Sequence, residues 1–393
     1  MRTVESFIVA CLRAHGATRV WGDPLGDLEV EACTDPDAVG RLSAADGRLH
    51  RVGVGWEAGT HRLTIASRPG AARALHCDDP RHIVREIETA ARHVAGGHGA
   101  YVVDLDVDLG EDVPARARAR GSLGYTPFAG TLLAEDRRVA MLAGPGVVRL
   151  GAVEALHRFA ATANIGVANT WGAKGLFRWD SPHHMGTVGL QTRDLELVFD
   201  AIDLVLTTGL DPDETQPAFP AHITAVPIDA RQLDQLAPLV PRRAAIGPNA
   251  FYSALGAVAQ SGYVDERVPY HPARVVAMLR AELPAGGVIA APADRVGRWV
   301  ARTFSTTELG SVVVPARASA LDSAALATVA GLDGRVAVLA VHAADDGDDI
   351  TALLDRVDRR GPTPTRSVWD GDALPIDWSC DELLRAAAGN FVF

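Results

Sequence analysis

The feature that most constrains the fold is a regular alternation of short apolar runs with helix-like segments in the middle of the chain. The apolar runs have the length of buried strands, and the segments between them carry apolar residues at helical spacing. Parallel strands need long crossover connections, which are usually helices. The pattern therefore predicts a doubly wound α/β domain with a parallel sheet. Its strands are predicted within residues 137–144, 165–170, 195–209 and 222–229.

The flanking regions repeat this alternation less clearly and predict two further α/β units. Residues 30–62 are polar and give no firm assignment, and the last 35 residues are predicted to be irregular. Gly, Pro and Arg are frequent in residues 109–134, a composition typical of a linker. The predicted domains are therefore 1–125, 126–262 and 263–393. Outside the middle domain, helices are predicted at 2–15, 78–94, 271–283, 295–303 and 349–357, and strands at 18–22, 63–66, 100–107, 286–292 and 334–342.

Composition excludes several classes of function. There are 38 basic and 49 acidic side chains, so the net charge is −11, and the arginines are scattered. A nucleic-acid or anionic membrane surface would need a concentrated basic face, so neither partner is expected. No apolar run reaches the roughly 18 residues that would predict a membrane span. The four cysteines form no CxxC pair, which favours a reducing cytoplasm over a disulfide framework. Lys174 is the sole lysine.

The middle domain resembles a known family. Its matching elements are the Gly144-Pro145-Gly146 turn between a strand and a helix, the Gly172–Gly175 turn, Pro182, the Met185-Gly186 pair and the strand in IDLVLTTG (202–209). These are similar to the central domain of thiamine-diphosphate enzymes of the acetolactate synthase type. Residues 3–24 resemble the opening of the family's pyrimidine-binding domain, and residues 271–299 resemble the start of its diphosphate-binding domain.

The resemblance implies three doubly wound, Rossmann-like parallel-sheet domains. Three domains of about 150 residues would need about 450, whereas the chain has 393. We therefore expect the first and third domains to be shortened.

The resemblance also implies thiamine diphosphate and Mg²⁺ as cofactors, with Glu57 as the candidate catalytic residue. Glu57 lies in VGWEAG (54–59), which resembles the segment whose glutamate activates the aminopyrimidine ring. Trp56 stands where the family has histidine, and only 11 residues separate Glu57 from Pro69, too few for the family's intervening helix. The competing interpretation is a solvated surface glutamate, the usual environment of this residue type.

The cofactor-binding candidates are Gly144, Gly146, Gly310 and Ser311. The first two lie at a strand–helix junction, where a nucleotide phosphate can bind; some family members hold flavin in this domain. Gly310 and Ser311 belong to a Leu-Gly-Ser motif retained from the diphosphate-binding domain. His342 falls where the family has a metal-binding aspartate. The nearby acidic residues, Asp345, Asp346, Asp348 and Asp349, are interpreted as a helix N-terminus, so no metal ligand is assigned.

The sequence therefore predicts a diverged homologue that is non-catalytic or accessory, a pseudoenzyme. Because family active sites form between subunits, the expected partner is a second copy or a full-length family member. One alternative is an active carbon–carbon lyase or ligase that uses Glu57 on a 2-oxo acid such as pyruvate. A further alternative is a nucleotide or small-molecule sensor built on the central domain.

Overall fold

The computed structural model shows an α/β chain with three mostly parallel sheets, which confirms the predicted fold class. The chain divides into two compact units, residues 1–126 and 127–393. The first unit carries one sheet and the second carries two. The structure describes residues 3–69, 72–113, 137–190, 194–212, 214, 219–242, 260, 262–266, 270–342, 347–356, 361–362 and 364–369.

The first unit is a six-stranded sheet in the order β2-β1-β3-β4-β6-β5. Strand β4 is antiparallel to both neighbours, and the other pairings are parallel. Helices α1 and α3 pack against each other and share a core cluster with the sheet. The elements are α1 (Val4–Ala14), β1 (Arg19–Gly22), β2 (Glu29–Glu31), α2 (Pro36–His50), β3 (Gly53–Glu57), β4 (Arg62–Ala66), β5 (Ala72–Cys77), α3 (Pro80–Ala95) and β6 (Ala100–Leu105).

Helices α2 and α3 begin from the same short motif, Cys-x-Asp-Pro, at residues 33–36 and 77–80. In each copy the aspartate is the N-cap residue, and its carboxylate accepts a hydrogen bond from a backbone amide of the first turn. The proline occupies the first helical position, where its fixed φ suits a helix start. Each cysteine thiol donates to the backbone carbonyl of the capping aspartate, at 3.6 Å in one copy and 3.5 Å in the other. The motif thus explains both helix starts.

Helix α2 is a correction to the sequence analysis, which left residues 30–62 unassigned. The helix packs against β3 through small side chains, so it lacks the row of large apolar residues that identifies an amphipathic helix. Val54 and Trp56 point into the core cluster of α1 and α3. Gly53 and Gly55 face the other way, toward α2.

The second unit begins with a five-stranded parallel sheet in the order β11-β10-β7-β8-β9. Helices α5 and α7 cover one face of this central sheet. Strand β9 was not predicted from the sequence. The elements are β7 (Val139–Ala143), α4 (Gly146–Arg149), α5 (Val153–Ala163), β8 (Gly166–Thr170), β9 (His184–Val188), α6 (Asp194–Val198), β10 (Leu204–Thr208), β11 (Thr224–Pro227) and α7 (Leu233–Leu236).

The third sheet is parallel and four-stranded, in the order β13-β12-β14-β15. Three of its elements correct the sequence analysis, because α10 and β13 were not predicted and β15 lies in the stretch expected to be irregular. The elements are α8 (Pro272–Glu282), β12 (Val288–Ala290), α9 (Arg295–Thr303), β13 (Val312–Val313), α10 (Ala320–Leu332), β14 (Ala337–His342), α11 (Asp348–Leu354) and β15 (Thr365–Trp369).

One buried apolar cluster joins the two sheets of the second unit. It includes residues of the central sheet, such as Leu142 and Val205, together with Trp299 and Val300 of α9 and Ile289 of β12. Its size makes the two sheets one packed body, so polar groups between them are removed from water. Among the described residues, no helix is long and apolar enough to cross a membrane.

Candidate functional site

Glu57 lies at the end of β3, where the chain turns back into β4. Residues 58–60 form a single 3-10 turn, so the described chain has a hairpin between Glu57 and Pro69. The carboxylate is half-buried and accepts a hydrogen bond of 3.3 Å from the Thr60 hydroxyl. Arg62 is its cross-strand partner. This is a polar hairpin end, and the catalytic assignment of Glu57 stays a prediction.

Gly144 and Gly146 lie at the carboxyl end of β7, beside the end of β10. This is the point where the order of the central strands reverses, the usual ligand crevice of a doubly wound sheet. In this structure, backbone hydrogen bonds between the two strand ends close the crevice. The amide of Gly146 donates to the carbonyl of Gly209 at 2.7 Å, and the amide of Gly144 donates to Thr208 at 2.8 Å. Neither amide is therefore available to a phosphate in this conformation, and their cofactor role stays a prediction.

Two buried acidic side chains close the same edge, and the sequence analysis did not identify them. Asp211 pairs with Arg149 of α4, with one of the two hydrogen bonds at 3.0 Å. The Glu214 carboxylate accepts a hydrogen bond of 2.6 Å from the hydroxyl of Thr170 at the end of β8. Charges buried in this way normally serve to satisfy each other. Arg149 and Asp211 are 62 positions apart, so no local sequence pattern indicates that they pair.

Gly310 and Ser311 lie at the amino edge of the third sheet, immediately before β13. The Ser311 hydroxyl donates to the carbonyl of Glu308 at 2.8 Å. The carbonyl of Gly310 accepts from the guanidinium of Arg335 at 2.8 Å. The described contacts of both residues thus hold the loop before β13, and their cofactor role stays a prediction.

His342 lies at the opposite, carboxyl edge of the same sheet. In the sheet, Ile289 of β12 pairs with Val312 of β13 on one side and with Val338 of β14 on the other. Ser311 is therefore level with Ala337 across the sheet. His342 is five residues further along β14, or about 17 Å at the usual rise of a strand. The Gly-Ser pair predicted to bind the diphosphate and His342, predicted to fall at the family's metal position, are therefore not brought together.

The described residues at the carboxyl edge of the third sheet do not fit a Mg²⁺–diphosphate group. Mg²⁺ requires near-octahedral oxygen ligands, and within the described ranges no three His, Cys, Asp or Glu side chains come together. Asp294, after β12, caps α9 by accepting from the amides of Val296 at 2.8 Å and Gly297 at 3.1 Å. Asp348 and Asp349 are exposed in the first turn of α11, as expected of a helix start. Asp345 and Asp346 lie outside the described residues.

The most unusual polar cluster of the described chain lies between the two sheets of the second unit. Its basic members are Lys174, His184 and Arg302, all more than nine-tenths buried. Arg302 donates to both carboxylate oxygens of Asp194, at 2.9 Å and 2.7 Å, and to the carbonyl of Thr187 at 2.8 Å. We call these five residues the interlobe cluster. Apart from the rarity of lysine, no sequence signal identifies them.

The comparisons with known proteins agree with the family recognised from the sequence. Residues 128–246 match the family described as "Thiamine pyrophosphate enzyme, central domain". The fold is similar to the X-ray structure of a Mycobacterium smegmatis protein assigned as a thiamin diphosphate-dependent enzyme. That similarity has a TM-score of 0.60 at 14% sequence identity, over 98% of this chain and 93% of the other. No curated protein matches the chain. The resemblance is confirmed for the central domain, residues 128–246, and the acetolactate synthase-like subtype stays a prediction.

Proposed function

We propose that this chain is a non-catalytic relative of thiamine-diphosphate enzymes that acts as an accessory protein. The observation that carries the proposal is the separation of Gly310 and Ser311, the predicted diphosphate-binding pair, from His342, at opposite edges of the third sheet. A diphosphate and its metal ion need ligands from a single edge, because the ion must bridge phosphate and protein oxygens. The described residues offer no such set.

The hairpin at Glu57 supports the same proposal. A glutamate that transfers protons to a cofactor ring needs to be held away from water, since desolvation and fixed partners tune its pKa. Glu57 instead ends a strand, with a hydroxyl neighbour and an arginine across the hairpin. An accessory role explains why the fold is retained while these positions have diverged.

The proposed partner is either a second copy of this chain or a full-length member of the family. In this family the active site forms between subunits, so a diverged chain could still occupy that interface. Sedimentation of the purified protein alone, and mixed with a full-length relative, distinguishes the two. A chain that remains monomeric in both samples would contradict the accessory role.

Titration with thiamine diphosphate and Mg²⁺ tests the non-catalytic part of the proposal. We expect no saturable heat when the purified full chain is titrated with both together. A dissociation constant below about 10 μM, which corresponds to about −7 kcal/mol, would contradict the proposal. Turnover of pyruvate that is abolished by Glu57→Gln would establish the active enzyme instead.

A further inference from the structure

The two sheets of the second unit are connected by residues 171–181, which we call the connecting segment. Its first turn, Trp171–Ala173, follows the central strand β8 and packs against α9. Further along, the carbonyl of Gly175 accepts a hydrogen bond from the amide of Gly310 at 3.2 Å. The amide of Trp179 donates to the carbonyl of Thr306 at 2.8 Å. The segment thus joins the central sheet to the elements of the third sheet by backbone hydrogen bonds.

Lys174 lies in the middle of this segment and is 6% exposed. The positive charge of Arg302 of α9 acts on Lys174, and the charge of Lys174 acts in turn on His184 of β9. Among the described residues, no side chain forms a hydrogen bond or ion pair with its ammonium, and Asp194 of α6 is bound to Arg302. The cluster therefore has one carboxylate for two strongly basic side chains.

Among the described residues, the other titratable groups near the segment have contacts of their own. His157 of α5 hydrogen-bonds the carbonyl of Leu176 at 2.6 Å. Burial, together with the smaller effect of the positive charge of Lys174, lowers the pKa of His184 to about 3, so His184 is neutral near pH 7. The carboxylate of Glu214 faces Gly172 and is bound by the Thr170 hydroxyl. Asp180 forms its ion pair with Arg178 at the surface. A charged Lys174 would consequently be a buried positive charge that shares the cluster with Arg302 and has no ion-pair partner among the described residues, which is strongly unfavourable.

The pKa of Lys174 shifts in the direction that this excess of positive charge predicts. Burial, together with the smaller effect of the positive charge of Arg302, lowers the pKa of Lys174 from 10.5 to about 7. In an opened state, where water reaches the ammonium, the pKa returns toward 10.5. Between about pH 7 and 10.5 the opened state binds more protons than the closed one, so closure becomes more favourable as the pH rises. Below about pH 7 the full penalty of the buried charge applies.

We propose that protonation of Lys174 releases the connecting segment. The central sheet and the third sheet of the second unit then separate more readily in mildly acid than in alkaline solution. In this pH-dependent opening, Lys174 is the group that titrates and Arg302 is the fixed positive charge. The contacts that break are the Gly175–Gly310 and Trp179–Thr306 hydrogen bonds. This opening does not depend on the accessory function, because it concerns only the packing of this chain.

The single lysine allows a direct measurement of the titrating group. Protein made with lysine labelled with ¹³C at Cε gives one lysine signal, provided that the expression tag contains no lysine. We expect its chemical shift to titrate with a midpoint near 7 in the folded protein and near 10.5 in urea. A midpoint above about 9 in the folded protein would overturn the proposal.

Hydrogen exchange measures the opening itself. The amides of Gly310 and Trp179 are followed at pH 6.0 and pH 8.5, and each rate is divided by the intrinsic rate at that pH. In the wild-type chain we expect protection to be at least about tenfold lower at pH 6.0, since the linkage gives about a factor of ten per pH unit above the midpoint. In Lys174→Met the two pH values should give equal protection.

Arg178→Met is the matched control, because it removes one positive charge from the same segment at an exposed position. It should keep the pH dependence of the wild type. Equal protection of these amides at both pH values in the wild-type chain would refute the proposal. A pH dependence of protection that remains in Lys174→Met would refute it as well. If Lys174→Met does not fold, the carbon titration of the wild-type chain still decides.

Discussion

Replacing Asp194 with asparagine is expected to destabilise the second unit by about 3–5 kcal/mol. The Asp194 carboxylate is completely buried and binds Arg302, which is itself almost completely buried. It also accepts the amide of Leu190 at 3.1 Å. Asparagine keeps the size of the side chain but removes the charge, so the guanidinium of Arg302 stays buried without compensation beside Lys174. Removing one partner of a buried pair is much more costly than removing both.

Urea unfolding of the full chain, followed by hydrogen exchange in peptides from β9 and α9, measures this loss. Asp180→Asn is the matched control, because the Arg178–Asp180 pair is exposed, at 57% and 44%. An exposed ion pair contributes about 0–1 kcal/mol to the free energy of unfolding. The double variant Asp194→Asn with Arg302→Met should regain much of the lost stability. If Asp194→Asn and Asp180→Asn cost the same, the interlobe cluster has no special energetic role.

The candidate residues show which parts of a site the sequence can predict. The turn at Gly144-Pro145-Gly146 and the turn at Gly172–Gly175 were found because short glycine motifs sit at fixed places between strands and helices. Arg302 and Asp194 are 108 positions apart, and neither belongs to a local pattern. Their pairing follows from how two sheets pack, which only the three-dimensional structure supplies. The buried Lys174 was visible in the sequence only as a single lysine.

The same distinction applies to the secondary structure. Strands with a run of large apolar residues, such as β7 and β14, were predicted because their burial requires that composition. β5 was missed because most of its residues are exposed at the edge of its sheet, so it has little apolar pattern. Helix α10 is buried on nearly all sides and has no polar face. A helix of this kind lacks the 3.6-residue alternation that prediction requires.

Helix α2 was missed for a third reason, because it approaches its sheet through glycine rather than through large side chains. A Cβ at Gly53 would lie 1.8 Å from the carbonyl oxygen of Ser43, and one at Gly47 would lie 2.0 Å from the carbonyl oxygen of Ala66. Such contacts bring the two backbones together. In the sequence they leave small and polar residues with little periodicity.

Gly53→Ala is therefore expected to destabilise the first unit by roughly 3 kcal/mol, at the upper end of the usual range for overpacking. The added methyl group meets backbone atoms of α2, so no side-chain rotation can relieve the overlap. Helix α2 must move away from β3, and the small residues between them lose their contacts. Exchange protection of the α2 amides in the full chain should fall by about a hundredfold, since each 1.4 kcal/mol corresponds to a factor of ten.

Gly40→Ala, in the same helix, is the matched control with the opposite sign. A Cβ at Gly40 meets no atom within 4 Å, and alanine favours a helix over glycine by about 0.5–1 kcal/mol. Protection of the same amides should therefore increase severalfold. If both variants lose stability, the effect comes from the helix rather than from its contact with β3. If neither does, α2 does not approach the sheet as closely as these glycines indicate. Opposite changes would show that glycine, and not apolar surface, determines how α2 packs.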